Sequence, residues 1–304
     1  MDMRRKIVQQ GAATLMVSLP AQWAKQNNIK KGDEVEVEEK GSQLHVLSTT
    51  APENKSVEVE LNKFGPYLSR FLEAFYKAGY DEIKATFQDP GALNEVQNCL
   101  GKEMSGLEIF DQSKTYCVLQ DIEGVSKEKF DPALKRVFYL LLQMSEEALP
   151  ILRSQKYEEL KPLRFLEESN NRFTAICIRS LSKLGYKKPD RMHFMYFIVE
   201  KLEQIADQFK YLFDFLMQNK VKVSKQVVDL YGLLCKMLRE YYEFFYKFNN
   251  EKAKKVDKMR TDIIQISNKI FKKISKEEIM VLHFIMAICQ MVFELVEPTV
   301  ALNF

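Results

Sequence analysis

Two groups of residues in this 304-residue chain have types and spacings suited to chemistry. The first is a run of cations: between Met3 and Lys31 every charged side chain is basic, namely Arg4, Arg5, Lys6, Lys25, Lys30 and Lys31. Acids follow afterwards, at Asp33, Glu34, Glu36, Glu38 and Glu39. A one-signed edge of this kind suits phosphate contacts, although six cations in thirty residues equally describe a solvated surface. The second group is Glu203 and Asp207. Four residues apart on a helix, their carboxylates leave one face and can share a hard cation. The three histidines, His45, His193 and His283, are far apart and make no metal-binding spacing. No Ser/His/Asp set, phosphate-cradling glycine loop or metal-hydrolase motif is present, so the expectation is a non-enzyme.

The elements that must position these residues follow from periodicity. Residues 1–50 alternate with period two, at Leu15–Leu19, Val35–Glu38 and Leu44–Leu47, with Gly11, Gly32-Asp33 and Gly41-Ser42 as turns. Pro20 opens one short helix over Ala21–Gln26. Such a unit is too small to enclose a core, so it is expected to dimerise. A linker is expected at Ala51–Lys55. Residues 51–124 then read as a small α/β connector: strand Ser56–Leu61, helix Tyr67–Ala78, strand Glu82–Phe87, a helix from Asp89-Pro90 toward Gly101, and a hairpin from Leu107–Phe110 and Thr115–Leu119. From about 125 to 304 the pattern is helical throughout. Six helices are expected: Asp131-Pro132 to Arg153, Glu158–Leu184, one from Pro189-Asp190, one capped by Ser224, Lys252–Ile274, and one opened by the capping box Ser275–Glu278. The expected fold is α+β, with an all-α rear as two three-helix bundles.

Composition narrows the class. Hydrophobic residues make up 46% and charged residues 29%, ordinary for a globular domain, and the formal charge of +3 leaves nucleic-acid attraction to local patches. The five cysteines form no C-x-x-C pair, which suits reduced thiols and a cytoplasmic setting. The most apolar stretch, Ile279–Val296, is interrupted by His283, Gln290 and Glu294 and falls short of the roughly 20 apolar residues of a span, so no transmembrane segment is expected. The run Tyr241–Tyr246 reads as bundle core, and the basic stretch from Lys247 to Arg260 as a solvated face.

The order of residues carries more. Arg4-Arg5-Lys6-Ile7, Gly11-Ala12-Ala13-Thr14, Val17-Ser18-Leu19-Pro20-Ala21-Gln22-Trp23 and Ile29-Lys30-Lys31-Gly32-Asp33-Glu34-Val35 together resemble the AbrB/SpoVT swapped-hairpin family over residues 3–48. The resemblance implies an intertwined dimer whose two hairpin units make one barrel, and DNA contacts from Arg4, Arg5, Lys6 and Thr14. Bacterial members often carry another arginine after the first glycine, where this chain has Ala12-Ala13. Further on, Phe75–Ile83, Gly106-Leu107-Glu108-Ile109 and Val199–Asp207 resemble archaeal PhoU-type phosphate uptake regulators that carry the same front module. That likeness implies a regulator of phosphate uptake, with a phosphate transporter or signalling protein as partner. It also implies a divalent or trivalent metal site built from E-x-x-x-D pairs. Glu203 and Asp207 keep the pair, whereas the corresponding positions elsewhere are Glu167 with Asn171 and Gln290 with Glu294. Amides in place of carboxylates leave less charge for a metal, so polar positions at bundle seams are the simpler expectation.

Overall fold

The computed structural model describes residues 4–48, 54–61, 67–89, 91–102 and 104–304. The linker expected at Ala51–Lys55 falls mostly outside them, as does Pro90. The chain divides into two compact units, residues 1–55 and 56–304.

In the first unit, β1 (Val8–Gln10) pairs antiparallel with β2 (Thr14–Met16), and β3 (Val35–Lys40) with β4 (Gln43–Ser48). Gly41, at φ 61°, opens the two-residue turn between Lys40 and Gln43, a conformation that needs positive φ. α1 (Ala21–Gln26) lies between the hairpins in sequence and starts directly after Pro20, as expected. The two hairpins are separate two-stranded sheets. Among the described residues 4–48 whose exposure is defined, none is buried. Ile7, Leu15 and Leu44 are more than two-thirds exposed, at 67%, 69% and 69%.

The second unit begins with a four-stranded sheet in the order β5-β6-β8-β7. β5 (Ser56–Glu60) runs parallel to β6 (Glu82–Thr86) through the crossover helix α2 (Leu68–Lys77). α3 (Gly91–Lys102) leads to the hairpin of β7 (Leu107–Gln112) and β8 (Tyr116–Asp121). Leu72 and Tyr76 of α2, Val96 of α3 and Ile83 and Leu119 of the sheet close its core. Ala175 from the helical part completes that core, so the connector shares its interior with the helices.

The rear is helical: α4 (Lys127–Ser154), α5 (Lys161–Arg164), α6 (Leu166–Leu184), α7 (Met192–Asn219), α8 (Lys225–Tyr246), α9 (Asn250–Ile270), α10 (Lys276–Glu294) and α11 (Val296–Asn303). α4 packs on α6, α7 and α8, while α10 packs on α7, α8 and α9, around one continuous apolar core. Three expectations need correction. α4 starts before Asp131, because Ser126 accepts the Glu128 amide at 3.2 Å and is the cap. The helix expected at Glu158–Leu184 is broken into a 3-10 turn (Tyr157–Leu160), α5 and α6, since Pro162 fits only in a first turn. The 28-residue stretch Lys276–Asn303 is, by length and composition, long and apolar enough to span a membrane, its most apolar 18-residue window reaching a mean hydropathy of 2.2. Here that apolarity is used for packing: Val281, Ile285, Ile288 and Val292 are fully buried.

One buried ion network fastens the sheet layer to α6. Arg179 donates to the Tyr76 and Tyr80 carbonyls at 2.8 Å each, to Asp81 at 3.1 Å and to Asp121 at 2.7 Å. Lys183, one helical turn further on, pairs with Asp81 as well. The Lys183 stem crosses Gly79, where φ is 85° and an added Cβ would stand 2.5 Å from Lys183 Cγ. Only glycine serves there.

Candidate nucleic-acid interface and a lysine-filled carboxylate cluster

Arg4, Arg5 and Lys6 are exposed and lie in the extended segment just before β1, which begins only at Val8. They flank the first strand rather than sit on it. Thr14, the first residue of β2, faces Gln10 across the Gly11-Ala12-Ala13 turn and is also exposed. Lys25 on α1 and Lys30 and Lys31 after it are exposed too. Asp33 turns back to accept the Lys30 amide at 2.7 Å, which fixes the Lys30–Asp33 turn. The arrangement is a hairpin with a basic approach segment, carrying apolar side chains that nothing within the unit covers.

The four carboxylates of the expected metal set fare differently. Glu167, on α6, is 3% exposed; Asn171 donates to it at 2.7 Å and Lys210 at 2.7 Å. The same Lys210 ammonium reaches Asp207 at 2.7 Å. Burial pushes the Glu167 carboxyl above its ordinary range, and the bonds from Lys210 and Asn171 only partly offset this. Burial also works against the charge on Lys210, but its bonds to Asp207 and Glu167 prevail and raise its pKa. Glu203 pairs with Lys77 of α2 at 3.4 Å, and Thr174 donates to it at 3.4 Å. Burial raises the Glu203 carboxyl while Lys77 opposes the rise. Glu294 does not join the group: it pairs with Lys201 at 3.0 Å and accepts from Gln290 at 3.2 Å, and shares no partner with the other three.

These residues do not fit a metal. Lysine ammonium groups stand where a cation would, and among the described residues no group of three or more His, Cys, Asp or Glu is placed to hold one. Reading only the acidic pattern missed Lys210, Lys77 and Lys201. Lys210 was detectable: it lies three residues past Asp207, on the same helix face. Lys77 lay within the quoted Phe75–Ile83 segment, but its partner is 126 residues away, beyond any local signal.

The first unit is a small β region of two separate hairpins, and it is similar to MazE/AbrB-like antitoxin domains. Residues 8–56 match the family model described as antidote-toxin recognition MazE, bacterial antitoxin. No curated protein and no solved structure matches the chain.

Proposed function

We propose that this chain is a dimeric, non-enzymatic cytoplasmic regulator of phosphate uptake that binds DNA through its first unit. In this reading the helical unit receives a signal from a transporter or a signalling protein. The observation that carries the DNA-binding dimer is the combination in residues 4–48 of an uncovered apolar surface with an exposed Arg4-Arg5-Lys6 segment. Burying a Leu, Ile or Val side chain contributes about 1.5–3 kcal/mol. A second copy covering Ile7, Val8, Leu15, Val37 and Leu44 of each chain would supply the core the single unit lacks. The match of residues 8–56 to the MazE family supports the same reading. The link to phosphate rests on the resemblance of Phe75–Ile83, Gly106–Ile109 and Val199–Asp207.

Gel-shift titration of the chain on its own promoter fragment over a range of salt tests the proposal. Each phosphate contact releases counterions and contributes about 0.9 to the log–log salt slope. Arg5→Ala with Lys6→Ala removes up to four contacts from a dimer, so the slope should flatten by about three to four. Unchanged affinity and slope would remove the DNA surface from this segment.

A second reading is favoured by the Gly11-Ala12-Ala13 turn, which carries no cation. Here the barrel only dimerises the chain, or engages a protein as an antitoxin does, and the helical unit restrains its partner directly. Absence of DNA binding at low salt, with dimerisation intact, would select it.

A further inference from the structure

The helical unit has one end that is strongly basic, and nothing in the reading above uses it. The turn joining α7 to α8 is held against the start of α10, because the Ser224 amide donates to Glu278 at 2.7 Å. The same turn is held against the segment after α4, with Tyr157 donating to the Val221 carbonyl at 2.6 Å and Gln155 to the Val223 carbonyl at 3.2 Å. Three loop or helix-end segments therefore meet at one end of the bundle.

Lysine dominates their sequence. Residues 219–225 contain Lys220, Lys222 and Lys225 and no acid, and residues 269–278 contain Lys269, Lys272, Lys273 and Lys276 against Glu277 and Glu278. All seven lysines are exposed, and only Lys225 makes an ion pair among the described residues, with Asp229. Glu278 is turned inward onto Ser224 and Ser275 and does not offset them at the surface. The remaining exposed acids nearby are Glu277 and, in the 3-10 turn, Glu158 and Glu159, alongside Lys156. Phe271, 51% exposed, and Met280, 42% exposed, project from the same end.

Helix stability does not account for the charge. Lysines at the ends of α7 and α9 are favoured by the helix dipole, but Lys225 and Lys276 are the first residues of α8 and α10, where the dipole opposes a cation. The seven cations of the two turns are all lysine, giving flexible point charges without the planar fork that guanidinium offers to phosphate or carboxylate. In the chain they flank two exposed apolar side chains, Phe271 and Met280. Such a surface matches the boundary of an anionic bilayer, where lysines meet headgroups and an aromatic side chain enters the headgroup–acyl boundary.

We propose that this end of the helical unit docks onto membranes rich in anionic lipid. The docking is peripheral and electrostatic, and it does not depend on DNA binding by the first unit. Flotation of the full chain with phosphatidylcholine vesicles, with and without about one-third phosphatidylglycerol, tests it. Binding to the anionic vesicles alone, weakening as salt rises, is expected. Each lysine near the surface is worth about fivefold in affinity, so Lys220→Gln, Lys222→Gln, Lys272→Gln and Lys273→Gln together should weaken binding by more than about 100-fold. Phe271→Ala should weaken it further, and Arg5→Ala with Lys6→Ala should leave it unchanged. Because these side chains are exposed, the variants should keep the wild-type circular dichroism and melting temperature. Equal flotation of the quadruple variant, or no flotation of the wild type at low salt, would overturn the proposal. So would retention of a DNA duplex, in place of vesicles, that is lost in the same quadruple variant.

Discussion

Replacing Lys210 by Met keeps most of the side chain's apolar stem and removes only the ammonium that joins Glu167 to Asp207. Removing one partner of a buried pair costs about 3–5 kcal/mol. Here the loss is smaller, because Asn171 still donates to Glu167 and the Asp207 side chain is 31% exposed. About 2–3 kcal/mol near neutral pH is expected, or a melting temperature lowered by about 5–10 °C for a unit of this size. The pH dependence identifies the group responsible. The Glu167 carboxyl is already raised above 4.5 in the fold, chiefly by burial. The folded chain therefore holds that proton more tightly than the unfolded chain. The stability so gained is full below the unfolded value and lost as pH rises through the folded one. Losing Lys210 lifts the folded value further, so the deficit of the variant should deepen toward neutral pH and nearly vanish below 4.5. Urea unfolding of both proteins across this range measures it. A deficit that is the same in acid and at neutral pH would mean that packing, and not the stranded Glu167 charge, is responsible, and the account of the cluster would fail.

The Arg179 network should behave as the fastening between sheet layer and helices. Arg179→Ala strands Asp121 and should cost about 3–5 kcal/mol in urea unfolding, with amide exchange accelerating in β6 and β8. A loss below about 1 kcal/mol would contradict that role. Ser275→Ala removes half of the capping box at α10 and should cost about 1 kcal/mol. Glu278 carries the opposite pH sign from Glu167: burial works to raise its carboxyl, but the bonds from Ser224 and Ser275 prevail and lower it. Its contribution is thus present above 4.5 and lost as pH falls through the folded value, so Glu278→Gln should weaken the fold at neutral pH and converge with the wild type in acid. Burial pushes the Cys117 and Cys289 thiols up to about 11 and Cys235 to about 12, so a thiol reagent should modify the half-buried Cys99 first. Equal rates at all five thiols would contradict the burial that raises these pKa values.

Local pattern alone determined most element types. The alternation in residues 8–48, the helix Ala21–Gln26, the strands at Ser56 and Glu82, the Ser275 capping box and the apolar stripes of α7 and α8 were legible because each is set by neighbours within four residues. The cationic start and the family likeness of the first unit were legible for the same reason. Where a nearer cap competed, as Ser126 did with Asp131, local reading misplaced the helix start. Tertiary structure alone decided what the charges do. The spacing of Glu203 and Asp207 marked a shared helix face, but whether a metal or a lysine lies on it depends on Lys77, which α2 brings to Glu203 from 126 residues away. Arg179, hidden in a helix of mixed polarity, became the link between the sheet and the bundle only when Asp81 and Asp121 were folded against it. The lysines after α7 and after α9 are two short basic runs in the chain, and they form one surface because Glu278 ties their turns together. Electrostatic partnership acts over distances in space that bear no relation to distance along the chain, whereas periodicity is a property of the chain itself.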